Sequence, residues 1–162
     1  MAANRGTITI TASVLPDDIK KTISGQIIYD LNDIGSDNKW VYYVNNVSTT
    51  AQSIMPDSIS YFANAAGDEA GVTDASDDDI GLLILQHSGF RGDGVTKSTD
   101  KIYFNITHTI DANAGAVGDM ILKPGGIWWA RFAHSDIDDI SVEASANDIK
   151  LLVYAVVDDG GV

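Results

Sequence analysis

Residues 6–14 alternate without a break, with Ile8, Ile10, Ala12 and Val14 on one side and Thr7, Thr9, Thr11 and Ser13 on the other. A repeat of two sends successive side chains to opposite faces of an extended chain, so this segment reads as a half-buried β-strand. Comparable runs follow at residues 23–31, 39–47, 80–87, 101–110, 127–133, 140–144 and 149–157. No stretch of a dozen residues holds an apolar repeat of 3.6, and residues 16–22 offer at most a turn or two of helix. The pattern predicts an all-β chain, an antiparallel β-sandwich of jelly-roll-like type with about eight strands.

The acidic residues agree with that expectation. The chain holds 21 Asp and two Glu, Glu69 and Glu143. Glu favours helices, whereas Asp favours turns and caps, so the skew belongs to a protein of strands and loops. Turn clusters at 32–38, 89–94, 111–118, 123–126 and 146–148 separate the strand-like runs. Residues 62–79 are rich in Ala, Gly and Asp, with Val72 as their one bulky aliphatic residue, and read as a long acidic loop. At 162 residues the whole chain, 1–162, fits a single sandwich domain that folds by packing alone, without cysteine.

Charge and hydropathy exclude several partners. A net charge of −13 opposes nucleic acid, whose phosphates are met by Lys and Arg. The longest apolar run, residues 151–157, is far shorter than the ~20 residues of a membrane-spanning helix, so no membrane is expected. Residues 1–5 lead straight into the Thr/Ile alternation, where the apolar core of a secretory signal would stand.

Nor does the sequence carry a recognisable reactive constellation. His87, His108 and His134 form no metal motif, and neither a nucleophile elbow nor a phosphate-cradling glycine loop occurs. Asp68, Glu69, Asp74, Asp77, Asp78 and Asp79 could supply oxygens to calcium, yet counted as an EF-hand from Asp74 the stretch has Asp79 in place of the turn glycine and Leu85 in place of the bidentate Glu. A solvated loop suits it better. Arg91-Gly92-Asp93, a tripeptide that integrins recognise, reads as a tight turn. The sequons at Asn46 and Asn105 fall within predicted strands. The chain is therefore expected to be no enzyme, with no catalytic residue, no cofactor and no metal.

Its binding surface is expected on strands that are apolar on both faces. In residues 149–157 one face holds Ile149, Leu151, Val153, Ala155 and Val157, and the other Leu152, Tyr154 and Val156. Residues 82–85 are apolar on both faces too, and either a loop of the same chain or another subunit covers the outer one. Adjacent Trp128 and Trp129 must face opposite ways. If Trp128, Ala130 and Phe132 enter the core, Trp129 emerges beside Arg131 as an anchor for an interface. Trp129, Arg131, Leu152, Tyr154 and Val156 are the predicted interface residues.

Over residues 120–157 the order of strand, Lys123-Pro124-Gly125-Gly126 turn, aromatic strand ending at Arg131-Phe132, Asp136-Ile137-Asp138-Asp139-Ile140 turn, Val142-Glu143-Ala144 and a final aliphatic strand resembles small virion proteins of tailed bacteriophages, of the capsid decoration or cement type. The resemblance implies a sandwich on an icosahedral head, with the major capsid protein and copies of itself as partners, commonly as a homotrimer. It also implies localisation in the virion, after assembly in the host cytoplasm. The rival expectation is a carbohydrate-binding or lectin-like module, calcium-assisted at the Asp-rich loop, that stacks sugars on Trp129, Tyr43 or Tyr103.

Overall fold

The structure is a computed structural model, and it describes residues 5–14, 21–30, 38–56, 58–62, 69–74, 79–106, 120–132 and 139–158. These form twelve strands: β1 Arg5–Val14, β2 Lys21–Asp30, β3 Asn38–Val47, β4 Gln52–Ser53, β5 Ser58–Phe62, β6 Glu69–Asp74, β7 Asp79–Arg91, β8 Ile102–Asn105, β9 Met120–Leu122, β10 Ile127–Arg131, β11 Ser141–Ala144 and β12 Ile149–Asp158. Each of the eight predicted runs contains or overlaps one of them. The remaining four, β4, β5, β6 and β9, were not expected. The stretch 62–79, predicted to be a loop throughout, carries β6 at Glu69–Asp74, paired with β5.

The chain divides into two compact units, Met1–Asn38 and Lys39–Val162. In the first, β1 and β2 pair antiparallel with unbroken register from Arg5↔Asp30 to Val14↔Lys21, so that Ile8 meets Ile27 and Thr9 meets Gln26.

The second unit holds a six-stranded sheet, ordered β10-β7-β12-β3-β5-β6, and a four-stranded sheet, ordered β4-β11-β8-β9. Together they make an antiparallel β-sandwich, and the chain changes sheet repeatedly: β3, β5 and β7 belong to one, β4 and β8 to the other. The core lies where their inner faces meet. Val41 and Val47 of β3, Leu83 and Leu85 of β7, and Leu151, Val153 and Ala155 of β12 face Ile102, Phe104, Val142 and Ala144 of the smaller sheet. Phe104 of β8 and Trp128 of β10 meet edge-on with ring centroids 5.0 Å apart, and Trp128 in turn contacts Phe132 at 6.4 Å. Trp128 therefore faces inward, and alternation turns Trp129 to the opposite side.

Lys123-Pro124-Gly125-Gly126 delivers the chain from β9 to β10. Gly126 N donates to Lys123 O at 2.8 Å, and Gly125 has φ 75°. Proline followed by a positive-φ residue is the pattern of a type II turn, which an L side chain strains. Gly125→Ala will cost about 1 kcal/mol, although its Cβ would meet no atom within 4 Å. Chemical denaturation of the variant checks this, and an unchanged midpoint would show that the turn tolerates a side chain.

Candidate functional site

Strands β10, β7, β12 and β3 lie side by side, and alternation turns one set of their side chains away from the core. Register aligns Trp129 with Ile84 and Ile84 with Tyr154, and Tyr42 of β3 continues this row with its ring 4.7 Å from that of Tyr154. The row crosses four strands, roughly 14 Å at the usual strand spacing. Beside it run Ile127, Gln86 and Leu152, likewise in register. Ile127 is 62 % exposed, Val44 39 %, Tyr42 38 % and Tyr154 36 %. Trp129, Ile84 and Leu152 are half-buried. Desolvation, and then the neighbouring Tyr154, raises the Tyr42 hydroxyl above the ordinary tyrosine range.

Four of the five predicted interface residues keep accessible surface on this side: Trp129, Arg131, Leu152 and Tyr154. The fifth does not. Val156 is fully buried, as is Leu82, with which it pairs, and both stand apart from the main core cluster. Part of the two-sided apolar character of β7 and β12 is thus used inside the protein. The sequence did not single out Tyr42, Val44 or Ile127 as accessible contributors, although the alternation of Val41, Tyr43, Asn45 and Val47 against Tyr42 and Val44 contains the signal for two of them.

The aromatic residues named for sugar stacking lie apart. Tyr43 packs against the core, Tyr103 is half-buried on β8 of the smaller sheet, and only Trp129 belongs to the row. Among the described residues no three His, Asp or Glu side chains gather in a metal-binding group. Of the Asp-rich stretch, Asp68, Asp77 and Asp78 lie outside the described residues, as do His108 and His134. No helix among the described residues is long and apolar enough to cross a membrane.

The Arg-Gly-Asp tripeptide closes on itself. Asp93 Oδ1 accepts from the backbone N–H groups of Val95 and Thr96, both at 2.9 Å, and Oδ2 accepts from the Thr96 hydroxyl at 2.6 Å. Those bonds favour the carboxylate and, led by the Thr96 hydroxyl, hold Asp93 down to about 2. The loop is also tied to the turn before β12, where Gly92 N donates to Asp148 O at 2.8 Å. Both carboxylate oxygens thus serve the turn, as its expected role requires.

His87 is fully buried. Its Nδ1 accepts from Gly89 N–H at 2.9 Å, so Nε2 carries the proton that reaches Asp100 O at 3.1 Å. Only the neutral ring satisfies both contacts, and burial lowers its pKa most, against the opposing pull of Asp100. Below about pH 6.5 the unfolded chain takes up a proton that the folded chain refuses, so stability falls as pH drops from 7 toward 5. His87→Leu, less stable at pH 7, is expected to lack that slope in urea denaturation series. At lower pH, between about 4 and 2, the Asp93 contribution is lost in the same direction. A slope unchanged by His87→Leu would show that another group titrates.

Comparison with protein-family models gave no match, and comparison with curated protein sequences gave none.

Proposed function

We propose that this chain is a non-enzymatic structural protein of a virus particle, a capsid decoration or cement protein that binds and stabilises the outer surface of an icosahedral phage head. The observation that carries its binding role is the row Trp129, Ile84, Tyr154 and Tyr42, with Ile127 and Val44 exposed around it. An aromatic-rich accessible face of this kind suits a protein contact, where large rigid rings supply area at low entropic cost. The virion assignment rests on the sequence resemblance over residues 120–157. Many modest contacts, repeated by the symmetry of a shell, sum to a large stabilisation without chemistry.

Mass spectrometry of density-purified virus particles from the source culture, quantifying this chain against the major capsid protein, tests the proposal. A fixed ratio near that of the shell protein is the expected result, and absence from particles would sink it. The second reading, a carbohydrate-binding module, is favoured by the adjacent exposed rings of Tyr42 and Tyr154. A glycan array, with Tyr154→Ala as control, would then show signal that the variant loses.

A further inference from the structure

Each sheet of the sandwich ends in two edge strands, and an open edge is a template for pairing with another chain. Two of the four are blunted by their length, β4 having two residues and β9 three. β6 is longer, with six residues bounded by Glu69 and Asp74. β10 differs: its five residues, Ile-Trp-Trp-Ala-Arg, contain no proline and pair with β7 in unbroken register.

The hydrogen bonds also fix which backbone groups β10 offers. His87 N donates to Gly126 O at 3.0 Å and Phe132 N donates to Gly81 O at 3.2 Å. In an antiparallel ladder such pairs recur at every second residue, so Trp128 and Ala130 spend their N–H and C=O groups on β7. Ile127 and Trp129 point theirs away from it, and no strand among the described residues takes that side. The outward backbone groups therefore belong to the residues whose side chains form the exposed apolar face.

Charge indicates which strand would fit. Between Asp119 and Asp136 the sequence has no acidic residue but includes Lys123 and Arg131, in a chain of net charge −13. At the opposite edge of the same sheet, β6 carries Glu69 and Asp74 and no Lys or Arg. We propose that β10 of one copy pairs with β6 of a second copy, continuing the six-stranded sheet from molecule to molecule. The five residues of β10 match the six of β6 in length. Pairing β10 with β10 would instead bring two cationic edges together and leave both acidic edges unmatched. A head-to-tail contact of this kind is heterologous and closes into a ring when its rotation permits. The inference deepens the proposed role, resting on it only in taking a second copy as the neighbour.

Sedimentation of the full chain across micromolar concentrations tests the inference, using two blocked variants. Ile127→Pro with Arg131→Glu blocks the β10 edge, removing an outward N–H while sparing the ladder to β7. Glu69→Lys with Asp74→Lys blocks the β6 edge. The unmodified chain is expected to self-associate, and each blocked variant to do so at least about tenfold more weakly, as like charges placed side by side require. Mixed together, the two variants form a one-to-one dimer and nothing larger, because only one open junction remains. Should the proline variant fail to fold by circular dichroism, Arg131→Glu alone replaces it. Adding Glu69→Lys and Asp74→Lys to Arg131→Glu in one chain then restores association. A monomeric unmodified chain, or a β6-blocked chain that assembles as the unmodified one does, overturns the inference. A monomer found in virus particles would remove the edge pairing alone, whereas an oligomer absent from particles would remove the virion role alone.

Discussion

Phe104→Ala is expected to cost the sandwich about 3–5 kcal/mol, the usual range for emptying a buried aromatic site. Phe104 is 1 % exposed, and it meets Trp128 edge-on at 5.0 Å. The two residues come from different sheets, β8 and β10, so the truncation opens a void where the layers are held face to face. Trp128 is itself only half-buried and cannot swing inward without leaving Phe132, 6.4 Å away. Urea denaturation should show a lower midpoint with an unchanged slope. A loss below about 1 kcal/mol would mean that the core collapses around the void instead of staying rigidly packed.

Asn45→Leu is expected to cost about 2–4 kcal/mol, by a different route. Asn45 is a buried polar residue in a strand whose inward positions are otherwise apolar, and all of its side-chain groups are used. Its Nδ2 donates to Ser53 O at 3.0 Å and to Ile54 O at 2.8 Å, while Oδ1 accepts from Gln52 Nε2 at 2.9 Å. Gln52 Oε1 then accepts from Ser48 N at 2.9 Å, which closes the link between β3 and β4. Leucine fills the volume but strands two carbonyl oxygens and an amide donor. Aspartate should be no better, because its carboxylate would face the same two carbonyls. Thermal unfolding of both variants checks this, and a leucine variant within about 0.5 kcal/mol of the parent would show that water replaces the amide.

These two residues mark how far the sequence could be read. Alternation located eight strands and set Trp128 and Trp129 on opposite faces, because facing is a local property with a period of two; which of the two enters the core came from the packing of Trp128 on Phe104. β4 and β9 escaped because two or three residues cannot display a period. β6 escaped because Ala, Gly and Thr around a single Val carry little hydrophobic signal, and its pairing with β5 decides its conformation instead. For the candidate face, alternation predicted the side to which Tyr154 belongs. That Tyr42 lies beside it depends on β3 and β12 being neighbours across more than a hundred residues, which no local pattern encodes. Val156 was assigned to the interface by the same alternation, yet it is buried. A period of two gives the face of a strand without saying what covers that face. The roles of Asn45 and His87 were equally hidden, since Asn45 is met by the two-residue β4 and by Ile54 just after it, and His87 by Gly89 of its own strand and by Asp100, none of which a local pattern marks.

The place of β12 within the larger sheet has a consequence for how the protein is made. β12 lies between β7 and β3, so both earlier strands keep an open flank until residues 149–158 arrive. During synthesis the apolar residues of β3 and β7 leave the ribosome well before the strand that joins them. Closure must wait for almost the whole second unit, and topologies dominated by such distant pairings fold slowly. In the interval the nascent chain presents two unsatisfied strand flanks, and its abundant aspartates, by mutual repulsion, help keep neighbouring nascent chains from completing each other's sheets.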